Sequence, residues 1–209
     1  MSLKTYLTGL IGSKKPKVEW WSTVPGLTEL EPVQPANKFF PEWFKKMPRW
    51  LEEGNPFDKG TFKNCPGIID FYKDAFVIPL WADFYLNVSE KDFGWKCSNE
   101  DFTMSLHYKE QFLDHTPKNV KKDVMVVAKT DCPWRVKTSK GWGMLQLPMF
   151  YDFNENFECL PGLTYTEWSH QINQQLLLKK KGEFLLKKGT PIAMYKPVKL
   201  DKINYTVKD

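Results

Sequence analysis

Val77-Ile78-Pro79-Leu80-Trp81-Ala82-Asp83-Phe84-Tyr85-Leu86-Asn87-Val88 is the stretch whose pattern decides the fold class. One side of it reads Ile78, Leu80, Ala82, Phe84, Leu86 and Val88, and the other mixes Trp81, Asp83, Tyr85 and Asn87. A period of two marks a half-buried strand, because successive side chains leave a pleated backbone on opposite faces. Proline lacks the N–H that a central ladder requires, so Pro79 places this strand at an edge or a bulge. Phe102, Met104, Leu106 and Tyr108 alternate with Thr103, Ser105 and His107 in the same way, and the two stretches are expected to pair. Further strands are expected over 124–128, 134–138, 143–147, 156–160, 171–178, 182–186 and 192–198. With many short strands and no later helix-length pattern, the fold reads as mainly β: an antiparallel β-sandwich or barrel, jelly-roll or β-clip-like, with short N-terminal helices.

Upstream of this β-rich domain, assigned to 77–209, the chain changes character. Residues 18–76 carry Pro25, Pro32, Pro35, Pro41, Pro48 and Pro56, which limit helices to one or two turns and predict an arm packed on the main domain. Within the arm, 39–48 reads as a single short helix with Pro41 in its first turn and Pro48 ending it, and 64–75 as a second, with Asn64 as its cap and Pro66 in its first turn. Residues 1–17 form an appendage. Leu3, Leu7, Leu10 and Ile11 recur at helical spacing before the polar linker Ser13-Lys14-Lys15-Pro16-Lys17, and a detached apolar stripe of this kind is a candidate partner-binding element.

Composition narrows the function classes. The 209 residues are 42% hydrophobic, which supports a real core, and they include 9 Trp, 8 Tyr and 15 Phe whose area has to be buried in the core or against another protein. No window approaches the roughly 20 apolar residues of a membrane-spanning helix, and the N-terminus does not read as a secretory signal. Cys65, Cys97, Cys132 and Cys159 are too dispersed for a zinc knuckle or a disulfide scaffold and read as free thiols in a reducing compartment. The net charge of +5 rests almost wholly on lysine, since Arg49 and Arg135 are the only arginines. Lysine supplies point charges where arginine supplies a bidentate fork, so sequence-specific nucleic-acid reading is disfavoured. Eight lysines against Glu183 and Asp201 make 179–202 strongly basic, and Lys179, Lys180, Lys181, Lys187 and Lys188 are the candidates for weak, nonspecific polyanion binding.

Reactive motifs are scarce. His107, His115 and His170 show no His-x-His or His-Glu-x-x-His spacing, so no metal site is expected from sequence and no cofactor is called for. There is no Gly-x-Ser-x-Gly elbow, no phosphate-cradling glycine loop and no cysteine in a recognisable nucleophile motif. Asp70, Asp74, Asp83, Asp131 and Glu167 are the carboxylates from which tertiary folding would have to assemble any acid/base pair.

The segments Gly141-Trp142-Gly143-Met144-Leu145-Gln146-Leu147-Pro148-Met149-Phe150, Leu160-Pro161-Gly162-Leu163, Ile172-Asn173-Gln174-Gln175 and Lys188-Gly189-Thr190-Pro191-Ile192-Ala193, with Phe39-Phe40-Pro41-Glu42-Trp43, resemble a family of uncharacterised proteins from tailed phages of the marine myovirus type. That resemblance implies a phage protein resident in the host cytoplasm during infection or in the virion, with itself or other phage or host proteins as partners. The order of the C-terminal strands is also similar to the deoxyuridine triphosphatase β-clip. Where that family places an aspartate after Gly-Val-Ile, this chain reads Gly162-Leu163-Thr164-Tyr165, and it lacks the Arg-Ser-Ser loop and the glycine-rich arm. What the β-clip resemblance implies is a degenerate β-clip enzyme or a nucleotide- or small-molecule-binding protein, with a pocket lined by Tyr165, Glu167 and His170. The leading expectation is a non-enzymatic structural or protein-binding module.

Overall fold

The computed structural model describes residues 15–54, 59–89, 93–201 and 206–207. The apolar stripe Leu3, Leu7, Leu10 and Ile11 lies outside the described residues. The fold is mainly β, built from antiparallel sheets in a sandwich-like arrangement, with no closed barrel among the described residues.

Strands β1 (Val18–Ser22) and β2 (Gln34–Pro35) come from the N-terminal arm. Four short α-helices follow the arm and loops: α1 (Leu27–Leu30), α2 (Glu42–Lys46), α3 (Pro66–Tyr72) and α4 (Lys118–Asp123). The main body supplies β3 (Phe76–Pro79), β4 (Phe84–Val88), β5 (Phe93–Cys97), β6 (Met104–His107), β7 (Val126–Thr130), β8 (Trp134–Thr138) and β9 (Trp142–Pro148). It ends with β10 (Phe157–Cys159), β11 (Gly162–Thr164), β12 (Gln174–Leu178), β13 (Gly182–Leu186) and β14 (Pro191–Lys199). They form sheets in the orders β1-β8, β10-β12-β7-β6, β11-β9-β14-β3-β2 and β13-β4-β5.

The deciding stretch is two strands, not one. Residues 77–82 are buried on both faces, and strict alternation holds only from Phe84 to Val88. Between them the chain leaves the five-stranded sheet for the three-stranded one. Leu80 exchanges backbone hydrogen bonds with Gly189 and Thr190, and Asp83 Oδ1 accepts the Lys188 N–H at 2.6 Å. Pro79 stands opposite Pro191 where the β14 register shifts, so the proline marks a bulge as expected. The expected pairing of 77–88 with 102–108 does not form. β4 takes β5 and β13 as its neighbours, and β6 takes β7, because Phe93–Cys97 offers β4 a partner closer in the chain. The cap of α3 also differs: Cys65 holds the N-cap position, while the Asn64 amide donates to Arg49 O at 2.6 Å.

The main core draws Ile78, Phe84, Leu86, Met104, Ala128, Trp134, Val136, Met144, Leu176, Leu178 and Ile192 from all four sheets. The two larger sheets are covered on their outer faces as well. Val77 and Met194 point away from the main core onto Ala36, Tyr72 and Ala75, with Phe39, Phe40 and Phe71 around them, so the proline-rich arm roofs the five-stranded sheet. Leu113, Val124 and Val127 do the same for the four-stranded sheet with Phe112, Val120 and Leu177. Trp20, Trp81 and Trp134 bury indole N–H groups without a hydrogen-bond partner among the described residues. Each lost bond costs about 1–3 kcal/mol, against about 4–6 kcal/mol from removing some 150–250 Å² of ring from water, so burial wins.

A polar chain runs through this apolar interior. Thr130 Oγ1 donates to Gln174 Oε1 (2.9 Å), Gln174 Nε2 to Tyr195 Oη (2.9 Å), Tyr195 Oη to Gln146 Oε1 (3.0 Å) and Gln146 Nε2 to Leu160 O (2.9 Å). Thr130, Gln174, Gln146 and Tyr195 are all buried. Burial pushes the Tyr195 phenol well above its ordinary range, so it remains a donor across the accessible pH range. Tyr195→Phe leaves the Gln174 amide and the Gln146 carbonyl oxygen unpaired. Urea unfolding is expected to show a loss of about 1–3 kcal/mol, and a change below about 0.5 kcal/mol would remove the chain's structural importance.

Candidate functional site

The segment after β11 carries the residues expected to line a pocket. Thr166 is buried, and its hydroxyl meets that of Thr138 and accepts the Thr138 N–H at 3.3 Å, which ties the turn to the end of β8. Trp168 N and Ser169 N both donate to Tyr165 O at 3.0 Å, closing a tight turn. With Thr166 turned inward, Tyr165, Glu167 and Trp168 face outward. The rings of Tyr165 and Trp168 stack at 5.7 Å with 24° between their planes, and Trp168 is 86% exposed. Glu167 Oε1 accepts the Gly141 N–H at 2.7 Å. Gly141 sits at φ +76° in the β8–β9 connection, a left-handed conformation that favours glycine. Glu167 therefore braces the β8–β9 turn that forms one wall of a shallow cleft of about 340 Å³, lined by Lys140, Gly141, Tyr165, Glu167, Trp168 and Leu200.

Two of the three expected pocket residues are thus together, and the third is elsewhere. His170 does not line this cleft. Its backbone carbonyl accepts the Val136 N–H at 2.9 Å, its Nδ1 lies 3.1 Å from Val136 O, and its ring meets Trp21 edge-on at 5.2 Å. The chain between Glu167 and His170 has reached the side of β8, where Gln171 bridges Arg135, and this carries the imidazole away from the turn. Trp168 is the functional candidate that sequence reading grouped with the packing tryptophans. The signal for its display was local: it lies among Thr166, Glu167 and Ser169 with no alternating apolar neighbours.

The basic segment does not form one patch. Lys179, Lys180 and Lys181 connect β12 to β13, whereas Lys187 and Lys188 follow β13, a five-residue strand that separates the two groups by roughly 17 Å. Lys179 pairs with Glu158 at 2.6 Å and Lys188 with Glu31 at 2.9 Å. Lys181 instead joins Lys109, Lys121 and Lys122 around a cleft of about 500 Å³ that also holds Asp114. Lys121 Nζ donates to Asp114 O at 2.8 Å, which fixes one ammonium at its wall.

Other reactive groups are engaged separately. Asp83 accepts the Lys188 N–H, Asp131 lies 3.4 Å from the Thr103 hydroxyl, and Asp74 pairs with Lys15 at 3.4 Å. Burial pushes the Cys132 and Cys159 thiols up to about 12, so thiolate is negligible at neutral pH and neither is an activated nucleophile. All four cysteines are free. Among the described residues, no group of three or more His, Cys, Asp or Glu side chains is placed to hold a metal ion, and no helix is long and apolar enough to cross a membrane.

No family model, no curated protein and no solved structure matches this chain. Glu167→Ala is expected to free the Gly141 amide and speed its hydrogen exchange about fivefold, equivalent to about 1 kcal/mol, while Glu167→Gln keeps the acceptor and most of the protection. Unchanged Gly141 exchange in the alanine variant would mean that the carboxylate does not brace the β8–β9 turn.

Proposed function

We propose that this chain is a non-enzymatic binding module of a tailed phage, working as a virion component or an accessory factor, with the layered sheets as its rigid frame. The observation that carries the reading is the aromatic platform of Tyr165 and Trp168, displayed to solvent in a protein whose other large rings are mostly packed inside. Trp and Tyr are the side chains that most often anchor protein–protein contacts, because they bring large area at little conformational cost. Bracing by Thr166 and Glu167 pre-organises the platform, which lowers the entropy lost on docking. The phage setting comes from the resemblance of 141–150, 160–163, 172–175 and 188–193 to tailed-phage proteins.

Mass spectrometry of purified particles is the direct test of the virion role, and absence of the wild-type chain from them rejects it. The double variant Tyr165→Ala, Trp168→Ala is expected to fold normally, since both rings lie outside the core, and to be incorporated at least tenfold less, the effect of losing a contact worth about 2 kcal/mol. Equal incorporation of the variant rejects the platform.

A second reading rests on the convergence of Lys109, Lys121, Lys122 and Lys181 around one cleft: weak polyanion binding there, in place of the dispersed 179–188 run. It predicts retention on single-stranded DNA at low salt that falls steeply as salt rises and is reduced by Lys121→Glu, Lys122→Glu. No retention of the wild-type chain at about 50 mM salt disposes of it.

A further inference from the structure

Between β9 and β10 the backbone adopts a conformation that its side chains disfavour. Tyr151 at φ +64° and Phe153 at φ +51° are both left-handed, and they flank Asp152 on either side. For residues with a Cβ this conformation is strained, so the surroundings must hold it. Two side chains from the N-terminal arm do so. Tyr72 Oη donates to Phe150 O at 2.6 Å, and Trp43 Nε1 donates to Tyr151 O at 2.7 Å. Phe71 packs edge-on against Phe150 at 5.1 Å and Phe62 against Tyr151 at 5.5 Å, while Trp43 meets Phe153 at 5.8 Å. On the far side, Asn154 Oδ1 accepts the Asn156 and Phe157 N–H groups at 2.9 and 3.2 Å. Burial pushes the Tyr72 phenol up to about 12, so the clamp keeps its donor proton.

The clamped loop borders a partly open cleft of about 270 Å³ whose lining includes Phe150, Tyr151, Asp152, Phe153 and Phe157. Glu158 and Lys179 also line it, but they are paired with each other at 2.6 Å. Asp152 is left half-buried among aromatic rings with no ion-pair partner among the described residues, and the Asn154 side chain is its hydrogen-bonding neighbour. Burial raises its carboxyl, because the charged form is incompletely compensated there. A positive group entering the cleft would supply that compensation.

We propose that the Asp152 cleft is a binding site for an organic ammonium group, with the carboxylate as counter-charge and the rings of Phe150, Tyr151 and Phe153 as cation–π walls. Aromatic faces attract ammonium groups, and weakly hydrated alkylated ammonium ions gain most from an aromatic site. The volume suits a small head group or one side chain and falls just below the usual range of about 300–1,000 Å³ for drug-sized ligands. Carbonyl-clamped backbone strain gives the site its shape before the ligand arrives, which is the economy of a pre-organised pocket. This site is separate from the Tyr165–Trp168 platform and does not depend on its role.

The test is amide NMR titration of the full chain with choline and, separately, with Nα-acetyl-lysine amide, using the neutral carbon isostere of choline as control. Saturable shifts confined to residues 148–159 and Lys179, from either cation and at least tenfold weaker for the isostere, are expected; the tighter cation tells whether the natural ligand is a free alkylammonium compound or a protein lysine. Asp152→Asn is expected to weaken binding at least tenfold with folding intact, and Phe153→Ala, which removes a 74% exposed ring, to weaken it severalfold. No saturable shift with either cation, equal binding of the isostere, or equal binding by a folded Asp152→Asn variant each overturns the assignment.

Discussion

Two cross-strand pairs meet face to face across the core: Gln174 beside Thr130 from one sheet, Tyr195 beside Gln146 from the other. The hydrogen bond between Gln174 Nε2 and Tyr195 Oη joins them. Every donor in this chain of four bonds points the same way, an arrangement in which each bond polarises the next. Apolar contacts alone would select the register of these strands only weakly, since β7 buries Val127 on one face and Ala128 on the other. A slip of one residue would put four polar groups against hydrocarbon. The polar chain thus specifies how the two largest sheets sit on one another, and everything built on their edges and connections inherits that placement.

Coverage of the outer faces follows from it. A sheet buried on both sides needs a roof, and the proline-rich arm serves, with Tyr72, Phe39 and Phe40 lying over Val77 and Met194. Roofing has a local consequence, because the same arm lends Tyr72 and Trp43 to the loop after β9 and holds its backbone where Tyr151 and Phe153 alone would not rest. At the other end of β9, Glu167 and Thr166 brace the turn that displays Trp168. Both candidate surfaces are loops stiffened by groups far away in the chain, which is how a rigid scaffold commonly presents function.

Much of the strand pattern was legible. Residues 134–138 and 182–186 coincide with β8 and β13, and 192–198 falls within β14: β8 alternates apolar and polar positions, while β13 and β14 are short apolar-rich runs bounded by turn residues. The short helices at 42–46 and 66–72 were announced by their prolines. Strands β1, β2 and β11 escaped, being short and paired with strands further along or back in the chain; β5 escaped although it pairs with its neighbour β4, and α4 is too brief to show a period. Of the expected pocket residues, Tyr165 and Glu167 share a cleft because they lie in one turn, whereas His170 follows its own backbone onto β8. The lysines 179–181 and 187–188 lie five residues apart in sequence, and because those five form an extended strand the two groups sit at its opposite ends.

What the amino-acid sequence determined by itself was the local periodicity: a chain of mostly short strands, punctuated by proline and glycine, with an antiparallel, mainly β outcome. Those signals arise within a few residues of one another, so no folding is needed to read them. Strand partners, the polar chain through the core, the display of Trp168 and the partial burial of Asp152 were decided only by tertiary structure. Each depends on groups tens of residues apart, such as Tyr72 with Phe150 or Thr130 with Gln174, and no local pattern encodes which distant donor will meet which acceptor.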